Sequence, residues 1–345
     1  MALLRKKADK AAPCEGRDAI LSDLDGVVYL GARAIDHAVE SLNQLAKTRA
    51  VGYLTNNASR TADEVAAQLT TLGLKARPVD VVTSAQAAVR LLGDYVPQGS
   101  TVLVVGGPGL VDELDRAGYV PTRSAADDPV AVVQGFARDV SWEQLAEAAF
   151  TLGGTSGEDR PWIATNTDWT IPLERGIAPG NGTLVSAVHT ASGRLPVVAG
   201  KPETPIFTEA ITRFKAKNPL FIGDRLDTDI AGAVRANIDS ALVLTGVDGA
   251  KQAIAAQPDS RPTYIIRDLR EVLLPYPFAD TNRDGVVTVG AARVVIDGND
   301  VRVLSDGGGS PHAAENINLL RAACLAIWRS PISLYGLNVP ERLYQ

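Results

Sequence analysis

The fold is decided by the stretch Ile20-Leu21-Ser22-Asp23-Leu24-Asp25-Gly26-Val27-Val28. It starts as a short apolar run, typical of a buried strand, and ends in two carboxylates that begin on the same side of an extended backbone. Burying two adjacent carboxylates costs free energy unless a cation lies between them, and Gly26 allows a sharp turn there. The pattern predicts either a magnesium-dependent phosphoryl-transfer site or, alternatively, a strand that ends in a solvated Asp turn.

The composition places the chain among ordinary globular proteins. Its 345 residues predict about two domains. Apolar residues make up 46% and charged residues 21% of the chain, and the net charge is −6. An acidic balance argues against a nucleic acid or an anionic membrane as partner, because both favour basic patches.

Cysteine and histidine usage excludes two other kinds of site. Cys14 and Cys324 lie near opposite ends of the chain, so we expect no disulfide framework and a reducing, cytoplasmic location. The three histidines are scattered, which disfavours a zinc site. We also expect no membrane span, because no apolar run approaches about 18 residues. Residues 1–16 read as a flexible tail without a signal peptide.

Strand and helix patterns alternate along most of the chain, which is the rhythm of a parallel α/β sheet. Capping boxes at Thr61 with Glu64 and at Ser141 with Gln144 predict helix starts, and Thr204 is a candidate N-cap. The predicted strands are 18–23, 51–55, 81–84, 101–107, 130–134, 162–165, 220–223, 240–244 and 263–266, and the segments 286–296 and 301–304 also alternate like strands. The predicted helices are 36–47, 61–72, 141–152, 184–189, a segment from 204, 224–236 and 313–328.

Four signals follow one another, each at or shortly after a predicted strand. They are Asp23-x-Asp25-Gly26, Thr55-Asn56, Gly200-Lys201-Pro202 and Gly223-Asp224-Arg225-x-x-Thr228-Asp229. Ligands of open α/β sheets bind at the carboxyl ends of the strands, so one site could collect all four. Taken singly, each has a plainer interpretation, such as a surface lysine or an acidic helix start. Their joint occurrence in this order favours the site.

Phosphoryl transfer has a role for most of these residues. Asp23 and Asp224 can supply carboxylates to Mg²⁺, and Lys201 can offset the charge of a phosphate. Thr55 can donate its hydroxyl hydrogen to a phosphate oxygen, and Asn56 can donate its backbone N–H.

The two remaining acids fit proton transfer and orientation. Asp25 can protonate a leaving alkoxide and then take a proton from water. Asp229 fits a role in orienting Lys201 or a metal-bound water.

Two other motifs give weaker evidence of a function. Gly106-Gly107-Pro108-Gly109 follows a predicted strand but matches no nucleotide-binding loop. The stretch Asp280-Thr281-Asn282-Arg283-Asp284-Gly285 copies half of a calcium loop, but Ala291 occupies the position where a bidentate Glu is needed. We expect a polar turn before a strand there.

The motifs D-x-D-G-V, T-N-N, G-K-P and G-D-R-x-x-T-D resemble those of the haloacid dehalogenase superfamily of phosphatases. The branch with a large α/β cap, which includes NagD-like and p-nitrophenyl phosphatases, is the most similar. Asn166-x-Asp168, Pro172 and Pro179-Gly180-x-Gly182 also resemble this branch. The similarity covers roughly residues 17–270.

The resemblance implies an α/β fold with a Rossmann-like three-layer core around a parallel sheet, an inserted α/β cap and a small α+β C-terminal extension. The core would comprise residues 17–82 and 181–274. The cap would comprise residues 83–180 and the extension residues 275–345. Cap-mediated homodimers are a further expectation.

Carried over residue by residue, the resemblance makes Asp23 the nucleophile and Asp25 the general acid and base. Mg²⁺ would be held by Asp23, the backbone carbonyl of Asp25 and Asp224. Asn166 and Asp168 are the candidates for substrate contacts from the cap, although a hydrogen-bonded turn explains them equally well.

The expected function is a Mg²⁺-dependent phosphomonoesterase that acts on a small phosphorylated metabolite. Glycerol 3-phosphate is the first expectation, followed by phosphoglycolate and pyridoxal phosphate. The alternatives are a phosphomutase that uses the same aspartyl-phosphate and a regulator that binds a phosphorylated metabolite without turnover.

Overall fold

The computed structural model describes residues 11–153, 157, 159–173 and 175–344. The first ten residues of the predicted tail thus lie outside the described residues. The chain divides into two compact units. The first comprises the described residues up to Val51 together with those from Asn218 onward, and the second comprises Gly52–Lys217.

The strands are named in chain order. They are β1 (Ala19–Ser22), β2 (Tyr29–Leu30), β3 (Arg33–Ala34), β4 (Ala50–Thr55), β5 (Val81–Thr83), β6 (Thr101–Val105), β7 (Val120–Thr122), β8 (Ala131–Gln134), β9 (Trp162–Ala164), β10 (Thr170–Leu173), β11 (Gly176–Pro179), β12 (Val197–Val198), β13 (Leu220–Gly223), β14 (Asp239–Val243), β15 (Tyr264–Ile266), β16 (Ala279–Thr281), β17 (Val287–Val289), β18 (Ala292–Asp297) and β19 (Asp300–Asp306).

The α-helices are named in the same way. They are α1 (Ala38–Leu45), α2 (Ala62–Thr71), α3 (Ser84–Leu92), α4 (Pro108–Arg116), α5 (Trp142–Leu152), α6 (Asn181–Ser192), α7 (Thr204–Phe214), α8 (Ala231–Arg235), α9 (Ala250–Ala255) and α10 (Ile317–Arg329). A π-helical turn, Leu226–Ile230, precedes α8.

In the first unit, four strands pair in parallel in the order β15-β14-β13-β1. The register sets Ser22 of β1 opposite Ile222 of β13. Both strands are fully buried apolar runs in which Ser22 is the polar exception, as expected for a sheet covered on both faces. Because the two strands end level, the acids that follow them, Asp23 and Asp224, start from neighbouring strand ends.

In the second unit, β4 pairs in parallel with β5, and a separate parallel sheet has the order β12-β9-β8-β6-β7. The helices α5 and α6 pack with that second sheet around a core that includes Val132, Leu152, Trp162 and Val188. The strand β12 lies beyond residue 180, where we expected the cap to end.

The C-terminal extension is an antiparallel meander, β16 to β19, packed against α10. It shares one hydrophobic cluster with the sheet of its own unit: Leu319 and Leu320 of α10 pack in the same cluster as Leu242 and Leu226. Each leucine buried in this way contributes about 1.5–3 kcal/mol. Asp280 and Thr281 end β16, and residues 282–285 form the predicted polar turn, where the Asn282 side chain accepts hydrogen bonds from two backbone N–H groups.

A buried arginine side chain fixes the position in which α10 packs. Arg321 is buried, and its guanidinium donates to Glu271 Oε2 at 2.5 Å and to the Ile265 carbonyl at 2.8 Å. It also stacks 4.3 Å from the ring centroid of Tyr276. Burying a charge is tolerable when it is paired and hydrogen-bonded in this way.

The fold class is confirmed: parallel sheets alternate with helices, and an α+β extension follows. Several details differ, among them unpredicted helices such as α3, α4 and α9. Residues 12–14 of the predicted tail are packed, since they are buried and the Cys14 N–H donates to the Val272 carbonyl at 3.2 Å. The N-cap of α7 is Glu203, not Thr204. The helix α6 begins at Asn181, three residues before the predicted start.

The capping box at Thr61 and Glu64 is confirmed in both directions. At Ser141 only one half of the predicted capping box forms, because the Ser141 side chain accepts from the Gln144 N–H but Gln144 Oε1 has no hydrogen-bond partner among the described residues. Within the part of the chain that the structure describes, no helix has both the length and the apolar character needed to cross a membrane.

Candidate active site

The end of β1 places the first acid. The Asp23 N–H donates to the Ile222 carbonyl at 2.9 Å, which extends the ladder with β13 by one residue. Asp23 is buried. Its position is therefore fixed by sheet geometry, and its carboxylate starts at the carboxyl edge where ligands of such sheets bind.

The chain then turns so that Asp25 faces solvent. The Leu24 carbonyl accepts from the N–H groups of Val27, Val28 and Tyr29, and the Gly26 N–H donates back to the Tyr29 carbonyl at 2.9 Å. Asp25 is exposed, whereas Asp23, two residues earlier, is buried. The spacing thus gives one acid held inside and one acid open to incoming molecules.

The end of β13 supplies the second buried pair of acids. One oxygen of Asp229 accepts from the backbone N–H groups of Asp224 and Arg225, both at 3.2 Å. Asp224 in turn accepts from the Val247 N–H at 2.8 Å. Both carboxylates are buried and oriented by main-chain donors, so neither can swing away without losing these hydrogen bonds.

The three buried acids form one cluster. Asp23, Asp224 and Asp229 each offer a carboxylate oxygen, and these oxygens lie within 4.8 Å of one another. Three anions this close repel each other strongly unless a cation is shared between them. Carboxylate oxygens are the ligands that Mg²⁺ takes in proteins, so the donor set fits a hard divalent cation.

Two glycines make room for the Asp224 carboxylate. A Cβ on Gly26 or on Gly246 would overlap it. Gly26 also has a φ of +82°, which a residue with a side chain adopts only with strain. The sharp turn predicted at Gly26 is therefore confirmed, and its cause is the close approach of an acid from another strand end.

We expect Gly246→Ala to raise the Mg²⁺ concentration for half-maximal activity about 10-fold, because the added methyl group displaces the Asp224 carboxylate. A Mg²⁺ titration of activity measures this. Gly249→Ala in the same loop is the matched control, since its Cβ would meet only Gln252 Oε1, at 3.8 Å. Equal shifts in the two variants would contradict the interpretation.

In the second unit, β4 ends in Thr55 and Asn56. Thr55 is buried, and its hydroxyl oxygen accepts from the Asn57 N–H at 3.1 Å. A hydroxyl that accepts in this way keeps its own hydrogen as a donor, which is what a phosphate oxygen requires. The Asn56 carbonyl accepts from Ser84 Oγ at 2.6 Å, so α3 anchors the end of this strand.

The other predicted residues of this unit surround Asn56. Lys201 is buried, and its backbone N–H donates to Asn56 Oδ1 at 2.8 Å. Asn166 is buried too, and its side chain donates to the Asn56 carbonyl at 2.7 Å. Asp168 accepts from Asn56 Nδ2 at 3.1 Å. The observed contacts of Asn166 and Asp168 hold a turn together, and a substrate contact by either stays a prediction.

Close packing also explains the glycines near this turn. A Cβ on Gly180 would overlap the Asp168 carbonyl, and one on Gly182 would overlap that of Thr167. The Gly182 N–H donates to the Asp168 carbonyl at 2.9 Å. The segment that we expected to break the chain thus packs against the 167–168 turn and starts α6.

Several residues of the first unit were missed. Thr245 Oγ donates to the Gly26 carbonyl at 2.7 Å, and Asp248 accepts from the Leu226 N–H at 2.6 Å. Burial raises the pKa of the Asp248 carboxyl, although that hydrogen bond opposes the change. The loop after β14 therefore braces the cluster. Its only signal in the sequence is a small residue and a glycine directly after a predicted strand.

The chain is similar to known proteins over most of its length. A family model described as haloacid dehalogenase-like hydrolase matches residues 20–120, and one described as HAD-hydrolase-like matches residues 198–272. A D-glycerol 3-phosphate phosphatase of Mycobacterium tuberculosis is 42% identical over 323 residues, which are 91% of this chain and 86% of the relative. The chain belongs to the haloacid dehalogenase-like hydrolases.

One solved structure and one further relative are also similar to this haloacid dehalogenase-like hydrolase. The crystal structure of a glycerol phosphate phosphatase from Mycobacterium tuberculosis in complex with magnesium has a TM-score of 0.82 at 39% identity and covers 96% of this chain and 95% of its own. An acid sugar phosphatase of Staphylococcus saprophyticus is 38% identical over 258 residues, which are 74% of this chain and 96% of the relative. This haloacid dehalogenase-like hydrolase is a phosphatase, as the motifs predicted.

Proposed function

We propose that this phosphatase is a Mg²⁺-dependent phosphomonoesterase that hydrolyses glycerol 3-phosphate. The observation that carries the proposal is the buried cluster of Asp23, Asp224 and Asp229 at adjacent strand ends, whose negative charge one divalent cation would offset. Asp23, Asp224 and the backbone carbonyl of Asp25 are the proposed ligands of that cation. The substrate is taken from the relative with 42% identity that spans nearly the whole chain. Phosphoglycolate and pyridoxal phosphate rank next.

The proposed chemistry uses the two acids of the β1 end. A carboxylate oxygen of Asp23 attacks phosphorus, and the bond between phosphorus and the ester oxygen breaks. The carboxylic acid of Asp25 gives its proton to the departing alkoxide. Asp25 then takes a proton from a water molecule that attacks the aspartyl-phosphate, which releases inorganic phosphate and restores Asp23. The exposure of Asp25 supports this role, because it has to meet both the alcohol and the water.

The remaining residues neutralise and orient the phosphate. When bound, Mg²⁺ supplies positive charge that lets an anionic carboxylate approach an anionic phosphate. Lys201 adds a second positive charge, and Thr55 donates its hydroxyl hydrogen to a phosphate oxygen. The backbone N–H of Asn56 is the proposed third donor. Asp229 orients its neighbours through the hydrogen bonds that it accepts at the end of β13.

A phosphate-release assay over a panel of small phosphate esters tests the proposal. With Mg²⁺ present, we expect glycerol 3-phosphate to have the highest kcat/KM, above phosphoglycolate and pyridoxal phosphate, and we expect EDTA to abolish release. A higher kcat/KM on another ester would replace the substrate. Formation of an isomeric ester without inorganic phosphate, detected by ³¹P NMR, would favour the phosphomutase instead.

A homodimer, a cytoplasmic location and the absence of nucleic-acid or membrane partners stay predictions. Size-exclusion chromatography with light scattering addresses the first of these directly.

A further inference from the structure

The side chain of Asn56 makes several hydrogen bonds, which are separate from the phosphate contact predicted for its backbone N–H. Its Oδ1 accepts from the Lys201 N–H at 2.8 Å, and its Nδ2 donates to the Lys201 carbonyl at 3.0 Å. The same Nδ2 donates to Asp168 Oδ1 at 3.1 Å and Oδ2 at 3.3 Å. One amide thus pairs with both main-chain groups of Lys201 and with the Asp168 carboxylate.

The partners fix the orientation of this amide. Exchanging its oxygen and nitrogen would set Oδ1 against the Lys201 carbonyl and the Asp168 carboxylate, and would set two N–H donors against each other at Lys201. The backbone of Asn56 is held as well, because its carbonyl accepts from Ser84 Oγ at 2.6 Å and Asn166 Nδ2 at 2.7 Å. Asn56 therefore presents a rigid template to Lys201.

The chain at Lys201 is shaped to meet that template. A Cβ on Gly200 would lie 2.7 Å from Asn56 Oδ1 and 2.5 Å from the Thr165 carbonyl, so only glycine lets the segment approach this closely. Lys201 itself is buried. The point from which its long side chain starts is thus set by two hydrogen bonds from one asparagine.

We infer that Asn56 is a positioning residue: its side-chain amide fixes the main chain of Lys201 and ties it to the Asp168 carboxylate. The inference rests on the proposed function, in which Lys201 neutralises the phosphate. It differs from the backbone donor role predicted for Asn56, because here the side chain acts through Lys201. A charge that is displaced by even 1 Å stabilises the transition state less.

A double-mutant cycle tests the coupling. We expect Asn56→Ala to lower kcat/KM for phosphate release about 10- to 100-fold, because the hydrogen bonds to both main-chain groups of Lys201 and to the Asp168 carboxylate are lost. In a Lys201→Ala background, the same change is expected to cost less than about 3-fold, since the residue through which it acts is gone. Thermal unfolding of each variant confirms that the assayed protein is folded.

A second pair of variants keeps the test decisive if Asn56→Ala unfolds. Asn56→Asp retains the acceptor for the Lys201 N–H but places a like charge against Asp168, so we expect a loss larger than that of Asp168→Asn alone. Combining the two changes returns a donor to the contact, and we expect kcat/KM to recover part of the loss. A merely structural asparagine would show no such recovery. Asn57→Ala, which removes contacts with Ser59 only, is the neighbouring control.

The outcomes separate this inference from the proposed function. If Lys201→Ala releases phosphate at the wild-type rate, the proposed role of Lys201 fails. If Lys201→Ala is strongly impaired but Asn56→Ala multiplies that loss by its full single-variant factor, the proposed function stands and the positioning role is overturned. An unchanged kcat/KM in Asn56→Asp would overturn it too.

Discussion

Asp23→Asn should lower kcat for phosphate release by about 10³-fold or more. The amide has nearly the shape of the carboxylate but has no negative oxygen to attack phosphorus, and the loss of a nucleophile costs several orders of magnitude. Steady-state phosphate release at saturating substrate and Mg²⁺ measures this effect. The geometry around residue 23 is set by the ladder with β13, so we expect the thermal unfolding midpoint to change little.

Asp36→Asn is the matched control for that experiment. Asp36 is exposed and lies between β3 and α1, so the same charge is removed without touching the acid cluster. Its kcat should match the wild type. An Asp23→Asn variant that keeps more than about a tenth of the wild-type kcat would exclude Asp23 as the nucleophile.

Asp224→Asn should raise the Mg²⁺ concentration for half-maximal activity at least about 10-fold, and by more than Gly246→Ala does. The substitution removes one of three clustered negative charges, whereas loss of a mere supporting group around a metal already costs about 10- to 100-fold in affinity. The measurement is a Mg²⁺ titration after treatment with EDTA, with isothermal calorimetry of Mg²⁺ binding as a readout that needs no turnover.

Asp227→Asn provides the comparison for this second prediction. Asp227 lies three residues further along the same turn and is exposed, and its carboxylate pairs with Arg225 at the surface. Exposed pairs of this kind contribute about 0–1 kcal/mol. Its Mg²⁺ requirement should equal that of the wild type. If Asp224→Asn also matches the wild type, the cluster is not the metal site.

Much of the fold could be predicted because its elements carry local signals. The strand β13 is an apolar run that ends in Gly223, and it was predicted at its observed bounds. The helix α2 announces its start through a reciprocal capping box. The helix α6 was placed too late because Gly180 and Gly182 read as breakers, and the reason for both glycines is a tertiary contact with the 167–168 turn. Such a contact between distant segments cannot be predicted from the local helix propensity of the sequence.

The residues of the candidate site also differ in whether they carry a local signal in the sequence. The acids at residues 23 and 224 could be found because chemistry demands carboxylates directly after strands. The side-chain role of Asn56 and the bracing loop at Gly246 could not, because both depend on which distant segment comes close. An asparagine after a strand looks the same whether it binds a ligand or templates another loop.

The C-terminal extension limits how the protein can be shortened. Its leucines lie in the same cluster as Leu226 and Ile230, which begin and end the turn directly after Asp224. Removing the extension would take away part of the apolar cover of that turn. A truncated chain would therefore need new apolar contacts there to keep the acidic turn in place.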